Sequence, residues 1–222
     1  MNSFVEQQKA TAAALGKIRI VPVLALESVA DGVKICEIFA RQGLLGAEIT
    51  FRTKAAAEII KEVSNQFPQL LVGAGTVLNV FDLHRAFAAG AKFAVAPGFN
   101  PTVVKEAVRA SFAFSPGIAT PSEVEQAFEL GCSMLKFFPA EAAGGTAMLK
   151  SIIAPYKHLG VRFMPTGGVT TANAAEYLSI PQVAAVGGTW LGKADDIAAG
   201  KWELIEEGVK NAVAFAAQYP AK

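Results

Sequence analysis

One lysine stands apart in the run Ser133-Met134-Leu135-Lys136-Phe137-Phe138-Pro139-Ala140-Glu141. The segment is short, apolar on both sides of Lys136 and bounded by Gly131 and Pro139, the pattern of a strand buried on both faces. An ammonium placed there costs several kcal/mol unless it pairs, carries its head out to water or gives up its proton. The third option yields a primary amine that can condense with a ketone to form an imine. The plainer alternative is a stem packed on the core with a solvated head.

A second polar group interrupts another apolar stretch. In Glu48-Ile49-Thr50-Phe51-Arg52-Thr53 the two-residue repeat of an extended chain puts Glu48, Thr50 and Arg52 on one side. They read either as a structural ion pair between Glu48 and Arg52 or as part of a reactive site. Met134, Lys136 and Phe138 share a parity in the same way. If both faces point inward, a carboxylate, a guanidinium and an amine meet. Removal from water and the charge of Arg52 then both favour the neutral lysine, the form that attacks carbonyls.

Glycine-rich segments bring a third chemistry. Pro165-Thr166-Gly167-Gly168 and Gly187-Gly188-Thr189 each end an apolar segment, and paired glycines bare backbone N–H groups toward an anion. Their position after the last two strands of the pattern below favours a phosphate over ordinary turns. Gly73-Ala74-Gly75-Thr76 permits close backbone approach and offers a hydroxyl, or is a tight turn beside a helix cap. Ala96-Pro97-Gly98-Phe99 and Ser115-Pro116-Gly117-Ile118 are stiff apolar segments, suited to a pocket wall or to a turn.

These groups need a scaffold that brings strand ends together. Residues 1–16 place Phe4, Val5, Gln8, Ala12 and Leu15 on one side, predicting an N-terminal helix stopped at Gly16. A strand over 19–25 precedes a helix capped by Ser28 and ended by Gly43. Strands over 47–51, 70–73, 93–96 and 112–115 alternate with helices over 54–66 and 80–89 and with helices opened by Pro101 and Pro121. The Lys136 strand and a helix over 146–153 follow, then a strand over 162–165, a helix over 173–178 and an eighth strand over 183–186. Trp202, Ile205, Val209, Ala212, Val213 and Ala216 mark one face of a closing helix. Eight strands too apolar to have a wet face predict an α/β fold, a (β/α)8 TIM barrel with an additional N-terminal helix; an open doubly wound sheet is the competing topology. With no internal linker, one domain is expected over 1–222: the helix over 1–16, barrel strands and helices over 18–190 and a helical segment over 194–222.

Composition narrows the partners. A chain of 222 residues that is 52% apolar can bury a large core, and its formal charge of +1 gives no reason to expect nucleic acid or an anionic membrane. Cys36 and Cys132 both fall in apolar segments and read as buried thiols, consistent with a reducing compartment. His84 and His158 have no ligand-type spacing, so no metal is expected. Without a signal-like N-terminus or an apolar stretch near ~18 residues, a soluble, cytoplasmic protein is expected.

The combination Glu48-Ile-Thr-Phe-Arg52-Thr, Gly73-Ala-Gly-Thr76-Val-Leu-Asn, Pro97-Gly, Lys136-Phe-Phe-Pro-Ala-Glu, Pro165-Thr-Gly-Gly168 and Gly187-Gly-Thr189-Trp resembles the 2-keto-3-deoxy-6-phosphogluconate / 4-hydroxy-2-oxoglutarate aldolase family of class I aldolases, from about Ile20 to Trp190. The resemblance implies a trimeric barrel enzyme of the Entner–Doudoroff pathway that needs no metal or cofactor. It would split a phosphorylated 2-keto acid into pyruvate and glyceraldehyde 3-phosphate. It further implies Lys136 as the Schiff-base residue, Glu48 as general acid and base, Arg52 and Thr76 on the substrate carboxylate, and Pro97 and Phe138 lining the pocket. Thr166, Gly167, Gly168, Gly188 and Thr189 would hold phosphate. Thr189 stands where the family more often has serine; the threonine keeps the hydroxyl and adds a methyl.

Elementary chemistry fits that assignment. Breaking the C3–C4 bond of a 2-keto acid leaves charge on C3, which a protonated imine at C2 absorbs as an enamine. One carboxylate can take the C4 hydroxyl proton and later return one to C3. A guanidinium such as that of Arg52 can bind the neighbouring carboxylate in two places. The alternatives are an aldolase for the galactonate epimer, another phosphate-binding barrel enzyme that needs no strand lysine, and a non-catalytic domain with a buried ion network.

Overall fold

The alternation of apolar strands and amphipathic helices is realised in a computed structural model that describes residues 3–220. The outermost residues of the expected segments 1–16 and 194–222 lie outside the described residues. Helix α1 (Ser3–Ile18) is followed by β1 (Ile20–Leu24), α2 (Val29–Gln42), β2 (Gly46–Thr50), α3 (Ala56–Gln66), β3 (Leu71–Gly75), α4 (Val80–Ala88), β4 (Phe93–Val95) and α5 (Pro101–Arg109). Then come β5 (Phe114–Ser115), β6 (Gly117–Ile118), α6 (Pro121–Glu129), β7 (Met134–Phe137), α7 (Gly145–Tyr156), β8 (Arg162–Pro165), α8 (Ala174–Leu178), β9 (Val186–Gly188), α9 (Ala194–Ala198) and α10 (Trp202–Ala216). Helix starts follow the local chemistry. Ser28 accepts from Asp31 N–H, and Thr120 and Glu123 form a reciprocal capping box behind Pro121.

All strand pairs are parallel, in two hydrogen-bonded groups of order β5-β4-β3-β2-β1-β9 and β6-β7-β8. Two contacts close them into one ring. On one side Phe163 bridges Val183 and Thr166 bridges Gly187. On the other, β5 and β6 are two halves of a single stave. The expected strand over 112–115 is shifted and split because Pro116 has no N–H to give to a ladder. The half before it pairs with β4, the half after it with β7, and the Pro116 carbonyl accepts from Lys136 N–H at 2.9 Å. Eight staves result, and the fold is a (β/α)8 barrel preceded by α1.

The larger apolar cluster fills the layer between staves and helices, while a smaller one occupies the barrel interior: Val21, Phe93, Val95, Ala113, Met134, Met164, Ala184 and Ala185. Leu15 of α1 joins this inner cluster with its side chain wholly buried, so α1 stoppers the N-terminal end of the barrel. Burial of one such leucine contributes about 1.5–3 kcal/mol. Gln8, also on α1, donates to the Phe114 carbonyl at 2.6 Å and accepts from Met134 N–H at 3.0 Å, so the stopper is keyed to β5 and β7. Polar chemistry is left to the C-terminal strand ends.

Arg19 accounts for two of the boundaries that differ from the sequence expectation. Helix α1 runs past Gly16 to Ile18, and the chain turns at Arg19 with φ of 65°. The buried Arg19 guanidinium donates to the carbonyls of Leu178, Val183 and Ala184 at 2.6 to 2.7 Å. Those last two carbonyls are therefore occupied by a side chain, and the strand expected over 183–186 begins only at Val186, which pairs with Ile20. Burial, with the Arg162 charge nearby, holds the Arg19 guanidinium below its ordinary range.

Candidate active site

Strands β2 and β7 supply the two central groups. Glu48 lies beside Val23 of β1 and Gly73 of β3, and Lys136 beside Gly117 of β6 and Met164 of β8. Both side chains turn into the barrel, where Lys136 Nζ is 3.1 Å from Glu48 Oε1. Glu48 is fully buried and Lys136 is 4% exposed, so the reading that sent the lysine head into water does not apply. The second carboxylate oxygen, Oε2, is buried with no hydrogen-bond partner among the described residues. Leaving a buried acceptor unsatisfied costs about 1–3 kcal/mol, and this oxygen has capacity for a further donor inside the barrel.

The carboxylate sits where it does because β3 has no side chain beside it. A Cβ at Gly75 would lie 2.2 Å from Glu48 Oε1 and 2.7 Å from its Cγ. Gly75→Ala is expected to push the carboxylate off Lys136, lowering kcat/KM about a hundredfold and stability by about 1–3 kcal/mol. Steady-state kinetics and urea unfolding of the variant check both, and wild-type turnover would show that the Glu48 position is unimportant.

Other predicted residues ring this pair. The half-buried Phe138 places its ring centroid 5.6 Å from Lys136 Nζ, close enough for the ring face to attract the charged amine. Thr76 follows β3 with φ of 57°, a left-handed conformation costly for a β-branched residue by about 1–3 kcal/mol. The half-buried Pro97 ends the β4 stave, with its carbonyl packed against Gly117. Thr166 is buried at the end of β8, followed by Gly167 and Gly168 with φ of 97° and 79°.

Two expectations need correction. Arg52 does not face Glu48: β2 ends at Thr50, and the exposed Arg52 lies in the turn beyond, its Nε donating to Thr50 Oγ1 at 3.2 Å. The partner of Glu48 is Lys136 instead. Thr50 in turn donates to the Leu24 carbonyl at 2.9 Å, so the arginine is braced by β1 and β2 at the mouth. The pair Gly187-Gly188 does not form a turn but belongs to β9, where it leaves room for Thr166 and for the Trp190 ring. Thr189 follows as an exposed residue.

The chain matches the model of the KDPG and KHG aldolase family over residues 11–208. It belongs to that family. A 2-dehydro-3-deoxy-phosphogluconate aldolase of Treponema pallidum is 45% identical over an alignment covering 86% of this chain and 90% of that protein. Among solved structures, the KDPG aldolase of Legionella pneumophila, with pyruvate captured at low pH as a covalent carbinolamine intermediate, is similar with a TM-score of 0.86 and 35% identity over 90% of this chain and 97% of that one. The 2-keto-3-deoxy-6-phosphogluconate aldolase of Zymomonas mobilis ZM4 with 3-phosphoglycerate has a TM-score of 0.83 and 39% identity over 92% and 95%.

Within this aldolase-family chain, other nucleophiles are held back. Burial pushes the thiols of Cys36 and Cys132 up to about 12, so both stay protonated at neutral pH. Among the described residues no group of three or more His, Cys, Asp or Glu side chains is placed to hold a metal ion, and no helix is long and apolar enough to cross a membrane. Sequence reasoning passed over Tyr177, whose hydroxyl donates to Glu141. An aromatic at helical spacing reads as core, and nothing local marks a partner 36 residues upstream.

Proposed function

We propose that this chain cleaves 2-dehydro-3-deoxy-6-phosphogluconate to pyruvate and glyceraldehyde 3-phosphate through an imine on Lys136, and 4-hydroxy-2-oxoglutarate to pyruvate and glyoxylate by the same route. The observation that carries this reading is the buried Lys136 amine 3.1 Å from a carboxylate whose other oxygen has no partner among the described residues. The Nζ–Oε1 contact gives the lysine proton somewhere to go. The neutral amine then adds to the C2 ketone, and loss of water leaves a protonated imine.

Glu48 removes the C4 hydroxyl proton as the C3–C4 bond breaks; the bonding electrons pass into the iminium to give an enamine, and the aldehyde departs. The same carboxyl returns a proton to C3, and water hydrolyses the imine to free pyruvate and the amine. Arg52 and Thr76 take the substrate carboxylate, while Pro97 and Phe138 bound the carbon chain. Thr166, Gly167, Gly168, Gly188 and Thr189 take the phosphate, the two left-handed glycines turning their N–H groups toward it. The reading includes one barrel domain over the whole chain, a cytoplasmic setting and a homotrimer. Exposed Leu78, Phe81 and Phe87 at α4 and its approach offer apolar surface that a second subunit could cover.

Assay of pyruvate release from the two acids and from the galactonate epimer of the first tests this reading. The gluconate-derived acid is expected to be cleaved fastest. Absence of pyruvate from all three would defeat the proposal.

A further inference from the structure

The loops after β7 and β8 are stitched together beyond the residues assigned above. Ala140 N–H donates to the Thr166 carbonyl at 2.8 Å and Glu141 N–H to the Gly167 carbonyl at 3.0 Å. The Glu141 side chain lies across Gly168, where a Cβ would come within 2.7 Å of the Glu141 Cβ and Cγ. Any residue larger than glycine at 168 would displace it. From the other side Asn173 Nδ2 donates to the Gly168 carbonyl at 3.1 Å.

The Glu141 carboxylate is itself held. It accepts from the hydroxyl of Tyr177, a wholly buried residue of α8, the helix that follows the glycine pair. It also lies at the first turn of α7, for a Cβ at Gly145 would be 3.5 Å from Glu141 Oε1 and 3.7 Å from the Tyr177 hydroxyl. Helix amides there favour a negative charge. Three elements thus converge on one carboxylate whose aliphatic stem presses on Gly168. Burial first, and the facing carboxylate second, keep the Tyr177 phenol above its ordinary range, so it remains a donor at working pH.

We propose that Glu141 and Tyr177 are a positioning pair that fixes the Gly167-Gly168 loop for phosphate, and so set the preference for phosphorylated over unphosphorylated keto acids. The proposal rests on the aldolase reading. Neither residue touches the reacting carbons. Each acts through the two glycines, holding in advance amides that would otherwise have to be ordered on binding.

Tyr177→Phe removes one hydrogen bond to a charged group, and Glu141→Ala removes both that bond and the packing on Gly168. In each variant the KM for the phosphorylated acid is expected to rise about tenfold with kcat little altered. The ratio of kcat/KM between phosphorylated and unphosphorylated acids should fall by the same factor. Glu141→Gln keeps an acceptor for the phenol and the stem over Gly168, and should restore the ratio to within about threefold of wild type. Equal losses on both acids, an unchanged ratio in Tyr177→Phe, or failure of Glu141→Gln to restore it would overturn the pair's role while leaving the aldolase reading standing. A wild-type enzyme that cleaves neither acid and gains no adduct with pyruvate and borohydride would remove both.

Discussion

Lys136→Arg is expected to lower kcat/KM for keto-acid cleavage by roughly 10⁴-fold or more, because a guanidinium cannot add to a ketone and no other step can replace the imine. The substitution keeps a cation beside Glu48, so the buried carboxylate is not left without a partner and the loss is one of chemistry. Two measurements separate cause from collapse. Thermal unfolding should show a cooperative transition, and incubation with pyruvate and borohydride should add the pyruvate-derived mass to wild type at Lys136 and nothing to the variant. Clear pyruvate release from pure Lys136→Arg enzyme, or an adduct on another lysine, would end the assignment.

Glu48→Gln should cost about 10²- to 10⁴-fold in kcat, the usual worth of a positioned acid–base group. The amide fills the same space beside Gly75 and still accepts a hydrogen bond from Lys136, but it can take no proton from the C4 hydroxyl and return none to C3. The variant should therefore still be trapped with pyruvate and borohydride on long incubation while cleavage is nearly stopped. Exchange of the pyruvate methyl hydrogens with deuterated solvent, which needs the same carboxylate at C3, should slow in parallel. Turnover within about threefold of wild type would move the proton transfers to another group.

The central pair was legible in the sequence because charge inside an apolar strand has few explanations, and Lys136 and Glu48 each interrupt such a strand. Arg52 was misplaced for an equally plain reason. A two-residue repeat holds only while the chain is extended, and β2 gives way to a turn after Thr50. The split of the fifth stave could have been read from Pro116, since proline has no donor for a central ladder. The late start of β9 could not, because it depends on Arg19 reaching carbonyls 159 to 165 residues away. The same holds for the left-handed backbone of Thr76 and for the Tyr177 to Glu141 bond, which are products of packing and leave no periodic trace.

Helix α1, with Leu15 driven into the barrel floor, turns a tube into a cup. Everything that enters must come in over the rim formed by the strand ends, and both fragments must depart by that same way. On the proposed reading the phosphorylated piece would lie nearer the rim and the pyruvyl piece would be tethered to the wall below it, so the aldehyde would clear the passage before water could release the second fragment. An anion lingering at the rim after the first departure would act as a lid over the tethered product, slowing the cycle without touching the lysine.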